Sequence, residues 1–159
     1  MNKDFFKTTK ILDGGMGQEL LARGMKPKGT LWSANALVDE KYHKLILNIH
    51  EDFIKSGADV IVTTTFTTRR KRLRENGIED KFKYLNQKAC EIAQKAKSNN
   101  PNVKIAGGLP PQDLTYEEDK RSEEDIIKDH SELAEILNPS VDFFYFDVWS
   151  SIKEIKCGI

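Results

Sequence analysis

The sequence predicts an α/β fold of parallel strand–helix units, and three observations carry that prediction. Apolar runs rich in β-branched or aromatic residues, at 60–66, 103–109 and 141–149, read as strands, and a shorter run at 10–12 reads as a first one. Between them lie stretches with apolar residues at helical spacing, long enough for parallel crossovers, and no hairpin signal interrupts the alternation. Two acids, Asp13 and Asp147, fall at C-terminal strand ends, where parallel α/β folds place their sites.

Asp13 closes the first short strand and opens the turn Gly14-Gly15-Met16-Gly17. Glycine tolerates backbone angles other residues resist and leaves main-chain N–H groups uncovered. A carboxylate followed by bare amides suits both ends of an amino-acid ligand. The same pattern also makes a plain strand-to-helix turn with a capping Asp. It is not a dinucleotide fingerprint, because position 20 is Leu rather than Gly.

Residues 18–23 read as a short helix stopped at Gly24, and a loop with Pro27 and Gly29 leads to Leu31-Trp32-Ser33-Ala34. Asp39 can cap the next helix, whose apolar face is Tyr42, Leu45, Ile46, Ile49 and Phe53, with Gly57 at its C-terminal end. The strand at 60–66, expected to be buried on both faces, ends in Thr63, Thr64 and Thr65, hydroxyls that either line a site or satisfy one another. The basic run 69–74 is followed at once by Glu75, Glu79 and Asp80, so a solvated loop or helix face is expected there rather than a phosphate or nucleic-acid patch.

The second long helix carries Phe82, Leu85, Ala89, Ile92, Ala93 and Ala96 on one face, with Cys90 as packing beside them, and Asn99-Asn100-Pro101 ends it. The strand at 103–109 runs into Pro110-Pro111 and a long loop. Ser122 and Asp125 start a third helix with the inner stripe Ile126, Ile127, His130, Leu133, Ala134 and Leu137. Asn138-Pro139 stops it, the aromatic strand follows, and Ser151 with Glu154 caps one more helix.

At 159 residues the chain is expected to be one domain, 1–159. Lys+Arg and Asp+Glu both count 25, which leaves no global field to draw nucleic acid or an acidic membrane. No apolar run reaches the roughly 20 residues of a membrane span, and the first residues lack a signal-peptide pattern. Two cysteines, Cys90 and Cys157, make no disulfide framework, so a reduced, cytoplasmic protein is expected. His43 and His50 are seven apart and join no H-E-x-x-H pattern, so surface or edge roles are expected for them and a core-edge role for His130. Neither a G-x-S-x-G nor a phosphate-loop motif is present.

Residues 11–20 (Ile-Leu-Asp-Gly-Gly-Met-Gly-Gln-Glu-Leu), then Leu31-Trp32-Ser33-Ala34, Ser56-Gly57-Ala58-Asp59-Val60-Ile61, Thr63-Thr64-Thr65-Phe66, Ala106-Gly107-Gly108, and Phe146-Asp147 with Ser151 resemble the homocysteine S-methyltransferase family in order and spacing. The resemblance implies a (β/α)8 TIM barrel of which this chain would supply the first half, four strands of eight, and methyl transfer to the homocysteine sulfur. It implies substrate-binding roles for Asp13, at the amino-acid end of homocysteine, for Gly14 beside it, for Thr64 where many members carry Asn, and for Asp147 where the family usually has Glu followed by Thr. It assigns no catalytic residue within this chain. In the family a zinc ion held by three cysteines lowers the thiol pKa so that a thiolate attacks the methyl group. Those cysteines belong to the second half of the barrel, and neither Cys90 nor Cys157 matches a ligand position, so no metal ligand is expected here. Homocysteine and a small methyl donor are the implied partners. A bare half-barrel face and open edge strands imply self-association or a complementary C-terminal half. The alternatives are a non-catalytic half-barrel remnant and a small-molecule-binding module.

Overall fold

The structure is a computed structural model and describes residues 3–159. A 3-10 turn at Lys3–Lys7 precedes Asp13, and helix α1 (Met16–Ala22) follows it, ended by Gly24 at a φ of +93°. After a loop come α2 (Asn35–Val38), a 3-10 turn at Glu40–Tyr42 and α3 (His43–Lys55). Asp39 caps the 3-10 turn rather than α3 itself: its side chain accepts from Lys41 N–H, and α3 starts one turn later from Tyr42, which makes no side-chain cap bond. Gly57, at φ +104°, turns the chain into strand β1 (Val60–Val62). Then follow α4 (Arg70–Glu75), α5 (Phe82–Lys97), β2 (Lys104–Leu109), α6 (Glu123–Leu137), β3 (Phe143–Phe146) and α7 (Ile152–Gly158). Ser122 and Ser151 accept from Asp125 N–H and Glu154 N–H, the two caps read from the sequence.

The sheet is parallel with strand order β1-β2-β3, so each neighbour is reached through a helical crossover. The expected first strand is reduced to one parallel bridge, Leu12 to Val60. Backbone bonds flank it: Val60 N–H donates to Ile11 O at 3.2 Å and Asp13 N–H to Val60 O at 2.9 Å. The glycine turn begins directly after Asp13, which leaves too short a segment for a ladder. The other strands are also shorter than the apolar runs. In the run 60–66, Thr63 N–H still reaches Ala106 O at 3.0 Å, but Thr65 N–H folds back onto Thr63 O at 2.7 Å and takes the chain off the sheet. In the run 141–149, Val148 at φ +62° breaks the extended path after Asp147.

Register sorts the two faces. Ile61, Ile105, Leu109 and Phe146 point toward the helices, where they join Ile46, Ile49, Leu85, Ala89, Leu133 and Leu137 in one core. Of the stripe expected on α6, Ile126, His130, Leu133 and Leu137 are buried, but Ile127 is exposed. A step of 100° per residue carries position 127 off the line drawn by 126, 130, 133 and 137. The opposite face presents Leu12, Val60, Val62, Ala106, Gly108, Phe143 and Tyr145. Phe6 from the first turn packs edge-on against Phe143, ring centroids 5.3 Å apart, so the chain covers part of that face itself.

The basic run divides. Arg70 pairs with Glu132, Lys71 with Asp113 at 2.6 Å and Arg74 with Glu79 at 2.7 Å, as a solvated helix face should. Arg69 departs from that expectation and is buried, 1% exposed. No helix among the described residues is long and apolar enough to cross a membrane.

Candidate functional site

All four residues singled out from the sequence, Asp13, Gly14, Thr64 and Asp147, line one cavity of about 310 Å3. It sits at the C-terminal ends of the strands, walled also by Trp32, Phe66 and Tyr145. Asp13 is positioned by the bridge between Leu12 and Val60, and its Oδ2 accepts from Val62 N–H at 2.9 Å. Its side chain is only 5% exposed. Burial pushes its pKa up to about 7, the Val62 N–H moderates that rise, and the charge of Asp147 adds to it. Burial raises Asp147 above its ordinary value as well. Two carboxylates thus face one small space with no cationic side chain lining it among the described residues.

Beneath them lies His50, which the sequence reading placed at the surface or an edge. It is fully buried, with Nδ1 4.0 Å from Asp13 Oδ2 and Nε2 3.4 Å from Thr64 Oγ1. Burial pushes its pKa down to about 4, so it is neutral and does not compensate Asp13. The signal was present: position 50 lies four residues after Ile46, on the inner stripe of α3. The other hydroxyls of this loop serve the backbone. Thr65 Oγ1 donates to Gly108 O at 2.7 Å, Thr63 Oγ1 accepts from Gly108 N–H at 3.0 Å, and Thr67 Oγ1 donates to Leu31 O at 2.8 Å. Of these threonines only Thr63 and Thr64 reach the cavity.

The glycine turn works by close approach. A Cβ on Gly14 would lie 2.8 Å from Phe53 Cε1, and one on Gly17 would fall on the Trp32 indole nitrogen. Trp32 itself adopts φ +48° and Val148 φ +62°, both in the cavity wall. Left-handed angles at a bulky and a β-branched residue are costly and gather at functional sites. Replacing Gly17 by Ala should displace Trp32 and cost about 1–3 kcal/mol from overpacking. A lowered melting temperature together with shifted tryptophan fluorescence checks this, and an unchanged spectrum would show that Trp32 does not need the glycine.

The fold and the cavity define a parallel α/β protein with an acidic, partly enclosed pocket at the C-terminal end of its sheet. The homocysteine S-methyltransferase family model matches residues 10–159, and the chain belongs to that family. It is 29% identical over 143 residues to S-methylmethionine–homocysteine S-methyltransferase BHMT2 of Rattus norvegicus, covering 89% of this chain and 36% of that protein. It is 32% identical over 109 residues to homocysteine S-methyltransferase of Escherichia coli K12, covering 64% and 34%. The metallated form of the homocysteine methyltransferase MmuM from Escherichia coli superposes with a TM-score of 0.82 at 27% identity, over 96% of this chain and 58% of that one. The chain therefore spans about a third of the length of these two curated relatives.

Proposed function

We propose that the chain supplies the homocysteine-binding half of a methyltransferase barrel, a single domain over 1–159 carrying four strand positions of eight. The observation that carries this reading is the convergence of Asp13, Gly14, Thr64 and Asp147 on one cavity whose lining, among the described residues, contains no cationic side chain. In this reading the ammonium group of homocysteine lies between Asp13 and Asp147 as their missing countercharge. Main-chain N–H groups of the Gly14-Gly15 turn receive the ligand carboxylate, and Thr64 offers a hydroxyl held by His50. The relatives' names support homocysteine as acceptor, and S-methylmethionine is the donor named for one of them.

The zinc ion that the family implies does not fit this chain. Among the described residues no three His, Cys, Asp or Glu side chains converge on a metal position. Cys90 is buried in α5 with its thiol pushed up to about 11 by burial, and Cys157 lies apart on α7. In this reading the chain binds and orients the amino-acid end of homocysteine, while residues outside it hold the sulfur and complete the transfer. Calorimetric titration with L-homocysteine and with L-methionine tests the reading. Saturable binding with a Kd of about 1 mM, worth about 4 kcal/mol, is expected. No saturable heat for either amino acid would favour a half-barrel remnant without a ligand.

A further inference from the structure

A second cavity, of about 370 Å3, adjoins the first and shares Trp32 and Phe66 with it. Its wall also carries Arg69, Arg72 and Thr115. Arg69 is held in place rather than free: Nη1 donates to Pro111 O at 2.6 Å, and Nη1 and Nη2 reach Thr115 Oγ1 at 3.4 and 3.3 Å. Its Nε–H, however, is buried without a partner, and so is the Nε–H of Arg72. Neither guanidinium has an ion-pair partner among the described residues, although Arg70, Lys71 and Arg74 around them all do. The carboxylates that act on Arg69 (Glu75, Asp113 and Glu154) do so from beyond ion-pair distance, and Asp113 is engaged by Lys71.

A buried charge without a partner is strongly disfavoured, and a second cation beside it adds repulsion. Here Arg69 is buried and Arg72 half-buried, both in the wall of a cavity, and neither Nε–H has a partner. A guanidinium presents its donors as a planar fork that matches the paired oxygens of a carboxylate or phosphate. We propose that Arg69 and Arg72 form an anion-binding pocket for the carboxylate or phosphate group of a small ligand, beside the Asp13 cavity and opposite to it in charge. The cavity is larger than either group alone, so the ligand carries further atoms toward Trp32 and Phe66. The proposal does not depend on what occupies the Asp13 cavity.

The test is titration of the full chain at low ionic strength with inorganic phosphate and, separately, with glutarate. Saturable binding of at least one is expected, and the tighter one distinguishes phosphate from carboxylate chemistry. Arg72→Gln removes a cation that makes no internal hydrogen bond, so the fold should survive and the affinity should drop about tenfold or more. Arg69→Gln should also lose binding, with its melting curve recorded because Arg69 ties down the Pro111 loop. Absence of saturable binding for both anions, or equal binding by wild type and Arg72→Gln, overturns the proposal.

Discussion

At micromolar concentration the chain is expected to run well above its monomer mass of 18.2 kDa in light scattering. The reason lies in the ends of the sheet. At one end Ile11 and Leu12 are 58% and 41% exposed beside a strand reduced to a single bridge. At the other, β3 pairs among the described residues only with β2, and Phe144 is 37% exposed. A parallel sheet with uncovered edges is a template for another chain. Ile152 and Ile155 on α7 extend the apolar surface. The inner face contributes less than a bare half-barrel would, because Val60 and Ala106 are buried between their neighbours and Phe6 covers Phe143. The edges are therefore the expected contact, either with a second copy or with a complementary C-terminal half. Phe144→Lys should shift the population toward monomer. A monodisperse wild-type monomer with a cooperative melt and no hydrophobic-dye binding would contradict this.

The second large effect belongs to Asp13. Asp13→Ala should weaken amino-acid binding by about 2 kcal/mol, a loss of roughly 30-fold and about half of the expected affinity, because it removes a buried partner of the ligand's ammonium group. Stability should move the other way in Asp13→Asn, which keeps an acceptor for Val62 N–H but no charge. With its pKa raised to about 7, folded Asp13 holds a proton that the unfolded chain loses near its ordinary carboxylate value. Stability from this group is thus full in acid and is lost as pH rises through about 7. Thermal melts at pH 5 and pH 8 should show that loss in wild type and not in Asp13→Asn. Unchanged ligand affinity in Asp13→Ala would remove Asp13 from the site.

Much of this was legible because the pattern was local. The stripes of α3 and α5, the caps at Ser122 and Ser151, and the stops at Gly24 and Gly57 each follow from spacing within one turn. Asp13 and Asp147 met in one cavity because parallel strands put all their C-terminal ends on one side. What was not legible depends on distant partners. The extent of β1 hinges on Thr65 folding back to Thr63, and the burial of Arg69 hinges on a carbonyl 42 residues away. His50 differs: its signal is local, because it lies on the inward stripe of α3 four residues after Ile46, but histidine type alone does not distinguish a buried neutral ring from an edge one.

The central claim is that a buried Asp13 carboxylate receives the ammonium group of an amino acid, and the pH profile of methionine affinity tests it most directly. An ionised Asp13 is needed, and free Asp13 titrates near 7. Binding by the wild-type chain should be level above about pH 8 and fall about tenfold per unit below pH 7, while Asp13→Asn should bind weakly with no such slope. A wild-type affinity that stays constant from pH 8 to pH 6 would contradict the account.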